Sequence, residues 1–276
     1  MSDWKPLLGR ITIFPAALFV PSAELPSALE LFQKMWDAAP LNFQGPTNPL
    51  SPSSAQGKRA GLGVSCSVHP LRIDFTLSPV GRETSSELPR LAVIEDSKEF
   101  YDELARVART LGRGLVTNSI VRVATFVQVI SPAANSTEAN VALMSIVPTQ
   151  YRIALGNEEE FILQVNRPRT SEQVEKLKMN FITKWSVENF QIISVSVSGD
   201  AGTPLVAPQS SVPQVAQFIA ASVAFDNNNV PVSPDKPLSS SQQASLLLEG
   251  LAGTATSLRE GNLNIGKGFE SGKFAH

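Results

Sequence analysis

From Leu62 to Leu77 the chain alternates apolar and polar residues with a period of two, and this alternation limits the possible folds more than any other feature. Leu62, Val64, Cys66 and Val68 interleave with Gly63, Ser65 and Ser67, and Leu71, Ile73, Phe75 and Leu77 interleave with Arg72, Asp74 and Thr76. Successive side chains of a strand point to opposite faces, so each run offers one face to a core and one to solvent. His69-Pro70 between the runs predicts a hairpin. Half-buried antiparallel strands of this kind need a second layer over their apolar side.

Helical spacings supply that layer. Leu29, Phe32, Met35, Trp36 and Ala39 follow Pro26 at intervals of three and four. Asp96 and Glu99 have the spacing of a capping box ahead of Phe100, Leu104, Val107, Ala108 and Leu111, with a stop at Gly112 or Gly114. Asn135 and Glu138 precede Ala139, Ala142, Leu143 and Ile146, and Pro148 ends that run. Ser240 and Gln243 precede Ala244, Leu247, Leu248, Leu251, Ala255 and Leu258, the longest amphipathic stretch.

Further strands are expected at 11–20, at 120–130 with both faces largely apolar, at 161–166, at 177–187, and at 218–225. Glu188-Asn189 reads as a turn into a return arm over 190–197. The stretch from Pro40 to Ala60, with Pro46, Pro49 and Pro52 and no periodicity, reads as a long irregular loop, and 199–215 reads as a linker.

These elements predict an α+β fold in which antiparallel sheets carry helices on their apolar faces. The order strand, helix, antiparallel strands, long helix recurs along the chain. We therefore expect two structurally related halves, 1–115 and 116–260, packed as one compact unit and followed by a flexible tail, 261–276. No repeat is visible at the level of residues, and a single irregular α+β domain is the alternative.

Composition narrows the chemistry. The 276 residues are 42% hydrophobic and 17% charged, with Lys plus Arg at 23 against Asp plus Glu at 25, a net charge of -2. Nucleic-acid binding rests on clustered positive charge, so this balance argues against a nucleic-acid partner. The apolar run at Ile11–Val20 is too short to span a membrane, is broken by Pro15 and is no signal peptide, so no membrane association is expected. One cysteine, Cys66, forms no intrachain disulfide, which fits a reducing, cytoplasmic setting.

Motifs for catalysis or cofactors are absent from the expectation. Gly261-Asn262-Leu263-Asn264-Ile265-Gly266-Lys267-Gly268 has the spacing of a phosphate-binding loop until Gly268 replaces the Ser or Thr that holds magnesium, and it follows a helix instead of a strand. Gly57, Gly61 and Gly63 with Lys58 and Arg59 lead into a strand and read as a solvated loop. Cys66 and His69 stand three apart on one strand, hence on opposite faces, so Cys66 reads as a buried thiol and no Cys/His metal site is expected. Glu158, Glu159 and Glu160 read as a turn before a strand, and Asp226 with Asn227, Asn228 and Asn229 as a turn after one. No catalytic, cofactor or metal residue is assigned.

An early apolar strand, a helix before a buried mid-chain strand containing Arg122, and a closing helix after Phe225-Asp226 together resemble a sporadically distributed family of uncharacterised bacterial proteins. Of that family's Arg-Tyr-x-Asn-like signature, Arg122-Val123-Ala124-Thr125-Phe126-Val127-Gln128 keeps Arg122 and the hydrophobic pattern. The resemblance implies no established activity.

The expected function is non-enzymatic binding or assembly through a protein partner or self-association. If helices cover one face of each sheet, Arg72, Asp74, Asn166, Lys178, Asn180 and Lys184 stand on the opposite faces as the partner-binding set, while Trp185 anchors the core. A small apolar ligand held between helices and sheet, and an enzyme using carboxylates brought together by the fold, are the alternatives.

Overall fold

The computed structural model describes residues 3–17, 27–48, 51–80, 91–116, 119–153, 161–194 and 214–261. It is an α+β fold whose strands form one ten-stranded antiparallel sheet: β1 (Lys5–Pro15), β2 (Asn42–Gln44), β3 (Ser53–Arg59), β4 (Leu62–His69), β5 (Arg72–Pro79), β6 (Ile120–Ala133), β7 (Ile162–Asn166), β8 (Arg169–Thr170), β9 (Lys178–Ser194) and β10 (Gln214–Asn229). The order across the sheet is β2-β3-β4-β5-β1-β6-β10-β9-β7, with β8 also paired to β9. Its helices are α1 (Ala28–Trp36), α2 (Ser97–Leu111), α3 (Ser136–Ile146) and α4 (Ser240–Glu260).

Moving outward from the central β1–β6 pair, each side meets a sequence-late strand first: β5, β4, β3 on one side and β10, β9, β7 on the other. The two sides are joined edge to edge through β1 and β6, so the expected pair of sheets is a single continuous one.

The register places the buried side chains on one face. Ile11 lies opposite Phe75 and Thr125, Phe75 opposite Cys66, and Phe225 opposite Val127; all are buried. The helices pack there: α1 over β3 and β4, α2 over β1 and β5, α3 over β6, β9 and β10, α4 over β6 and β10, with α2 against α4. Close approach is enforced by small residues. A Cβ on Gly9 would lie 2.6 Å from the Phe100 ring, and one on Gly57 2.7 Å from that of Phe32.

Helix ends follow local chemistry. Ser27 and Glu30 form a reciprocal capping box on α1, Asp96 caps α2, and Asn135 caps α3. The α4 box is formed by Ser239 and Gln242, one residue earlier than the Ser240–Gln243 spacing predicts. Ser240 instead begins the helix, because Ser239 has the extended backbone (ψ 160°) that a cap requires.

Three expectations are corrected. The Pro40–Ala60 loop contains β2 and β3, and β3 turns into β4 through Ala60 and Gly61, both with positive φ as a two-residue hairpin turn demands. Its polar sequence hid it, since only Ser53 and Ala55 are buried at this end of the sheet. Glu188-Asn189 is no turn: β9 runs through it, with Glu188 opposite Ala220. Asp226–Asn229 lies inside β10. Of the linker predicted at 199–215, residues 214 and 215 belong to β10, while 199–213, the tail beyond Gly261 and residues 18–20 of the first predicted strand lie outside the described residues.

A buried carboxylate fastens α2 to α1. Glu103, 4% exposed, accepts from Trp36 Nε1 at 2.9 Å and from Arg106 at 2.7 and 2.8 Å, with Arg59 Nε at 3.5 Å. Arg106 and Arg59 also donate to the carbonyls of Met35 and Trp36, which have no partner within the end of α1. Glu103→Ala is expected to cost about 1 to 3 kcal/mol, because it leaves the buried Trp36 indole N–H without its acceptor and removes the partner of the half-buried Arg106. Phe75→Ala, Leu104→Ala and Trp185→Ala should each cost roughly 2 to 5 kcal/mol through the cavity created. Urea denaturation measures all four, and midpoints equal to wild type would show that these faces are not core.

Candidate functional site

Strand alternation sends every second side chain to the face that the helices leave uncovered among the described residues. Thr12 and Asp74 are paired there, as are Asn180 and Asn228, and Lys184 and Ala224. Arg72, Asp74, Asn166, Lys178, Asn180 and Lys184 all fall on it through the same register. They form two groups instead of one patch, separated by β1, β6 and β10.

The first group centres on Asp74, 5% exposed. Thr12 Oγ1 donates to its Oδ1 at 2.7 Å and Arg72 Nε to its Oδ2 at 2.8 Å. His69 Nε2 lies 3.6 Å from Oδ2, and Arg10 Nε 4.0 Å from Oδ1. Asp74 is therefore enclosed by its cations, and Arg72 is what this group presents to solvent. Burial holds the His69 pKa below the ordinary value, with Asp74 pulling it up and Arg72 and Arg10 pushing it further down.

The second group is an amide ladder across three strands. Asn166 Nδ2 donates to Asn180 Oδ1 at 3.1 Å, Asn180 Nδ2 to Asn228 Oδ1 at 3.1 Å, and Asn228 Nδ2 to Asp226 Oδ1 at 2.9 Å. Lys184 is separate, 3.3 Å from Glu188 on its own strand. Lys178 is exposed and makes no ion pair among the described residues.

Between the groups the β1–β6 seam carries residues that the sequence reading passed over. Arg10 is paired with Phe126 and lies 5.2 Å over its ring; Phe14 is paired with Arg122, which lies 4.9 Å over the Phe14 ring. The two contacts exchange under a half-turn, and the signal was present as Arg-x-x-x-Phe at 10–14 and again at 122–126. Flanking residues differ, so the repeat escapes notice until the strands are side by side. The Nε of each arginine is buried without a hydrogen-bond partner.

The other sequence candidates have structural occupations. Burial pushes the Cys66 thiol far up, so it is a packed side chain and not a nucleophile. Gly57 lies beneath Phe32, and Arg59 serves Trp36 and Glu103. Asn227 donates to the Gly250 carbonyl at 2.7 Å and to Thr254 at 2.8 Å, tying β10 to α4. Asn229 bridges β10 to β6, accepting from Val123 N at 2.7 Å and donating to the Val121 carbonyl. Glu158, Glu159, Glu160 and the glycine-rich segment beyond Gly261 lie outside the described residues. Among the described residues no group of three His, Cys, Asp or Glu is placed to hold a metal ion, and no helix is long and apolar enough to cross a membrane.

A cavity of about 700 Å³ opens at the far end of β6, β9 and β10, where Phe190 and Phe218 stand among Asn189, Gln191 and Gln217. Ala133, Ala134 and Ile219 complete the lining. No family model, curated protein or solved structure matches the chain.

The depressed His69 pKa has a signed consequence. Its folded-state pKa lies below the unfolded one, so the unfolded chain binds the proton more readily. The folded state is favoured fully above about pH 6.5, and that advantage declines as pH falls below it. His69→Gln should flatten the stability profile between roughly pH 7 and 5 relative to wild type. Parallel profiles for the two proteins would show that His69 does not titrate differently on folding.

Proposed function

We propose that this is a non-enzymatic binding protein, and that it receives a protein partner on the face of its sheet that α1 to α4 leave uncovered. The supporting observation is the asymmetry of the two faces: α1 to α4 all pack on one, while the other carries Arg72, Arg122, Lys178 and the Asn166–Asn180–Asn228 ladder. Directional polar groups held on a rigid sheet lose little freedom when a partner pairs with them, which is what a binding surface requires.

The accessible part of this face is limited. Toward Ile130, Ser222 and Ser186 the face is buried, with Ile130 and Ser222 at 0% and Ser186 at 2% exposure. Around Arg72, Lys178 and Asn166 it is exposed. A lone buried cysteine fits a reducing compartment, and we place the protein in the cytoplasm on that ground.

The test compares wild type with a Lys178→Glu/Lys184→Glu variant. Affinity capture from the protein's own cells, followed by titration of the purified captured protein, should give at least tenfold weaker binding for the variant. Melting temperatures should agree within a few degrees, since exposed charges contribute about 1 kcal/mol or less to stability. Equal affinity of both proteins for the same partner would move the interface off this face.

A further inference from the structure

We infer that the partner presents an extended acidic segment lying across the strands, with Arg122 as the residue that anchors it; this rests on the docking face proposed above. Four positively charged or titratable side chains share one cross-sheet row. Phe14 is paired with Arg122. One position beyond the Ile13–Ile73 pair stands Arg72, itself paired with His69. On the other side Val230 follows the Asn229–Met179 pair and donates its N–H to the carbonyl of Lys178. Continuing the β10–β6 register two positions past its last pair, Asn228–Ala124, gives the row His69, Arg72, Phe14, Arg122, Val230, Lys178, which holds no carboxylate.

The spacing suits an extended chain. Neighbouring strands lie roughly 4.8 Å apart, so Arg72, Arg122 and Lys178 succeed one another at roughly 10 Å. A segment in the polyproline II conformation, with three residues per turn and a rise of roughly 3.1 Å per residue, turns every third side chain to the same side, which brings an acidic residue at every third position to each cation in turn. Phe14 and Val230 lie between the cations and offer apolar contact to the intervening residues.

Charge is left uncompensated at Arg122 in particular. Its half-turn counterpart Arg10 has Asp74 at 4.0 Å, held opposite Thr12 on β5. The corresponding place, opposite Ala124 on β10, is occupied by Asn228, an uncharged amide whose groups are committed to Asp226 and Asn180. Arg122 makes no ion pair among the described residues, and its Nε has no acceptor. A partly desolvated guanidinium stacked on a ring, with no counter-charge among the described residues, is a ready receiver for a carboxylate. A nucleic acid fits less well, because Asp74 stands in the next row and Asp226 in the one after it, and the chain carries a net charge of -2.

The probe is a fluorescein-labelled peptide of twelve residues or so with Glu at every third position and Ser and Thr between, read by fluorescence anisotropy at low salt. Controls are the same composition with its glutamates in one block, and a fluorescein-labelled oligothymidylate. The full chain should bind the spaced peptide more tightly than either control. Arg122→Ala should weaken this at least tenfold and Arg122→Lys, which keeps the charge but loses the planar fork, severalfold, while Arg10→Lys leaves it unchanged. Melting curves on each variant confirm folding, and Arg122→Lys keeps the test valid if Arg122→Ala is unstable.

Equal binding by Arg122→Lys, Arg122→Ala and wild type overturns the assignment of the anchor. Binding of the oligothymidylate as tightly as the peptide, or no binding of the peptide, overturns the acidic segment. If either happens while Lys178→Glu/Lys184→Glu still weakens the captured partner, the docking face stands and only this inference fails.

Discussion

The β1–β6 pairing holds the rest of the structure in register. Every strand on one side of the sheet is hydrogen-bonded, directly or in sequence, to β1, and every strand on the other side to β6. Without that seam each side would present a central strand as an open edge, with unpaired N–H and C=O groups along its length. The seam satisfies those groups and aligns the apolar faces so that one layer of helices covers both. The paired stacks of Arg10 on Phe126 and Phe14 under Arg122 resist slippage, since a one-residue shift would send each arginine to the face occupied by α2 and α4.

Around the seam, buried polar groups specify how the helices sit. Glu103 connects α2 to α1 through Trp36 and Arg106, and Asn227 connects β10 to α4. Glu249, 6% exposed, accepts from Ser171 Oγ at 2.5 Å and from the backbone N–H of Glu172, fastening the segment after β8 to α4. Each of these contacts is directional, so it discriminates among helix positions that apolar packing alone would accept almost equally. The face away from α1 to α4 shows the same economy: Asp74 gathers Thr12, Arg72, His69 and Arg10, and the asparagine ladder consumes most of its own amides. Arg122 and Lys178 remain without an ion-pair partner among the described residues, which makes them the chemically unfinished part of this surface.

The α+β class, the β4–β5 hairpin, four helices, the cap regions of α2, α3 and α4, and the interior place of Cys66, Phe75 and Leu104 were all legible in the sequence, because each depends on the local pattern of a single segment. Side choice was legible too: Arg72, Asp74, Asn166, Lys178, Asn180 and Lys184 share the face opposite the helices because alternation fixes a side chain's face once its strand is given. The expected loop at 40–60 contains two strands, and neither the short edge strand β2 nor the polar β3 beside it has the apolar repeat that marks a central strand. The turn expected at Glu188-Asn189 is absent because β10 is long enough to pair with β9 through it.

What the sequence could not supply was adjacency. The Arg-x-x-x-Phe motif stands at two places far apart in the chain, and its meaning arises only when β1 and β6 run antiparallel and each arginine meets the other strand's phenylalanine. Likewise Glu103 is an ordinary helical glutamate until the fold brings Trp36, Arg59 and Arg106 around it, and Arg122 is distinguishable from Arg10 only once Asn228 is seen where Asp74 stands on the other side. By itself the sequence determined which segments are strands or helices and which side of each is apolar, since those follow from local spacing. The tertiary structure decided which charges are neutralised and which are left facing outward, because an electrostatic partner is set by distance in space and not along the chain.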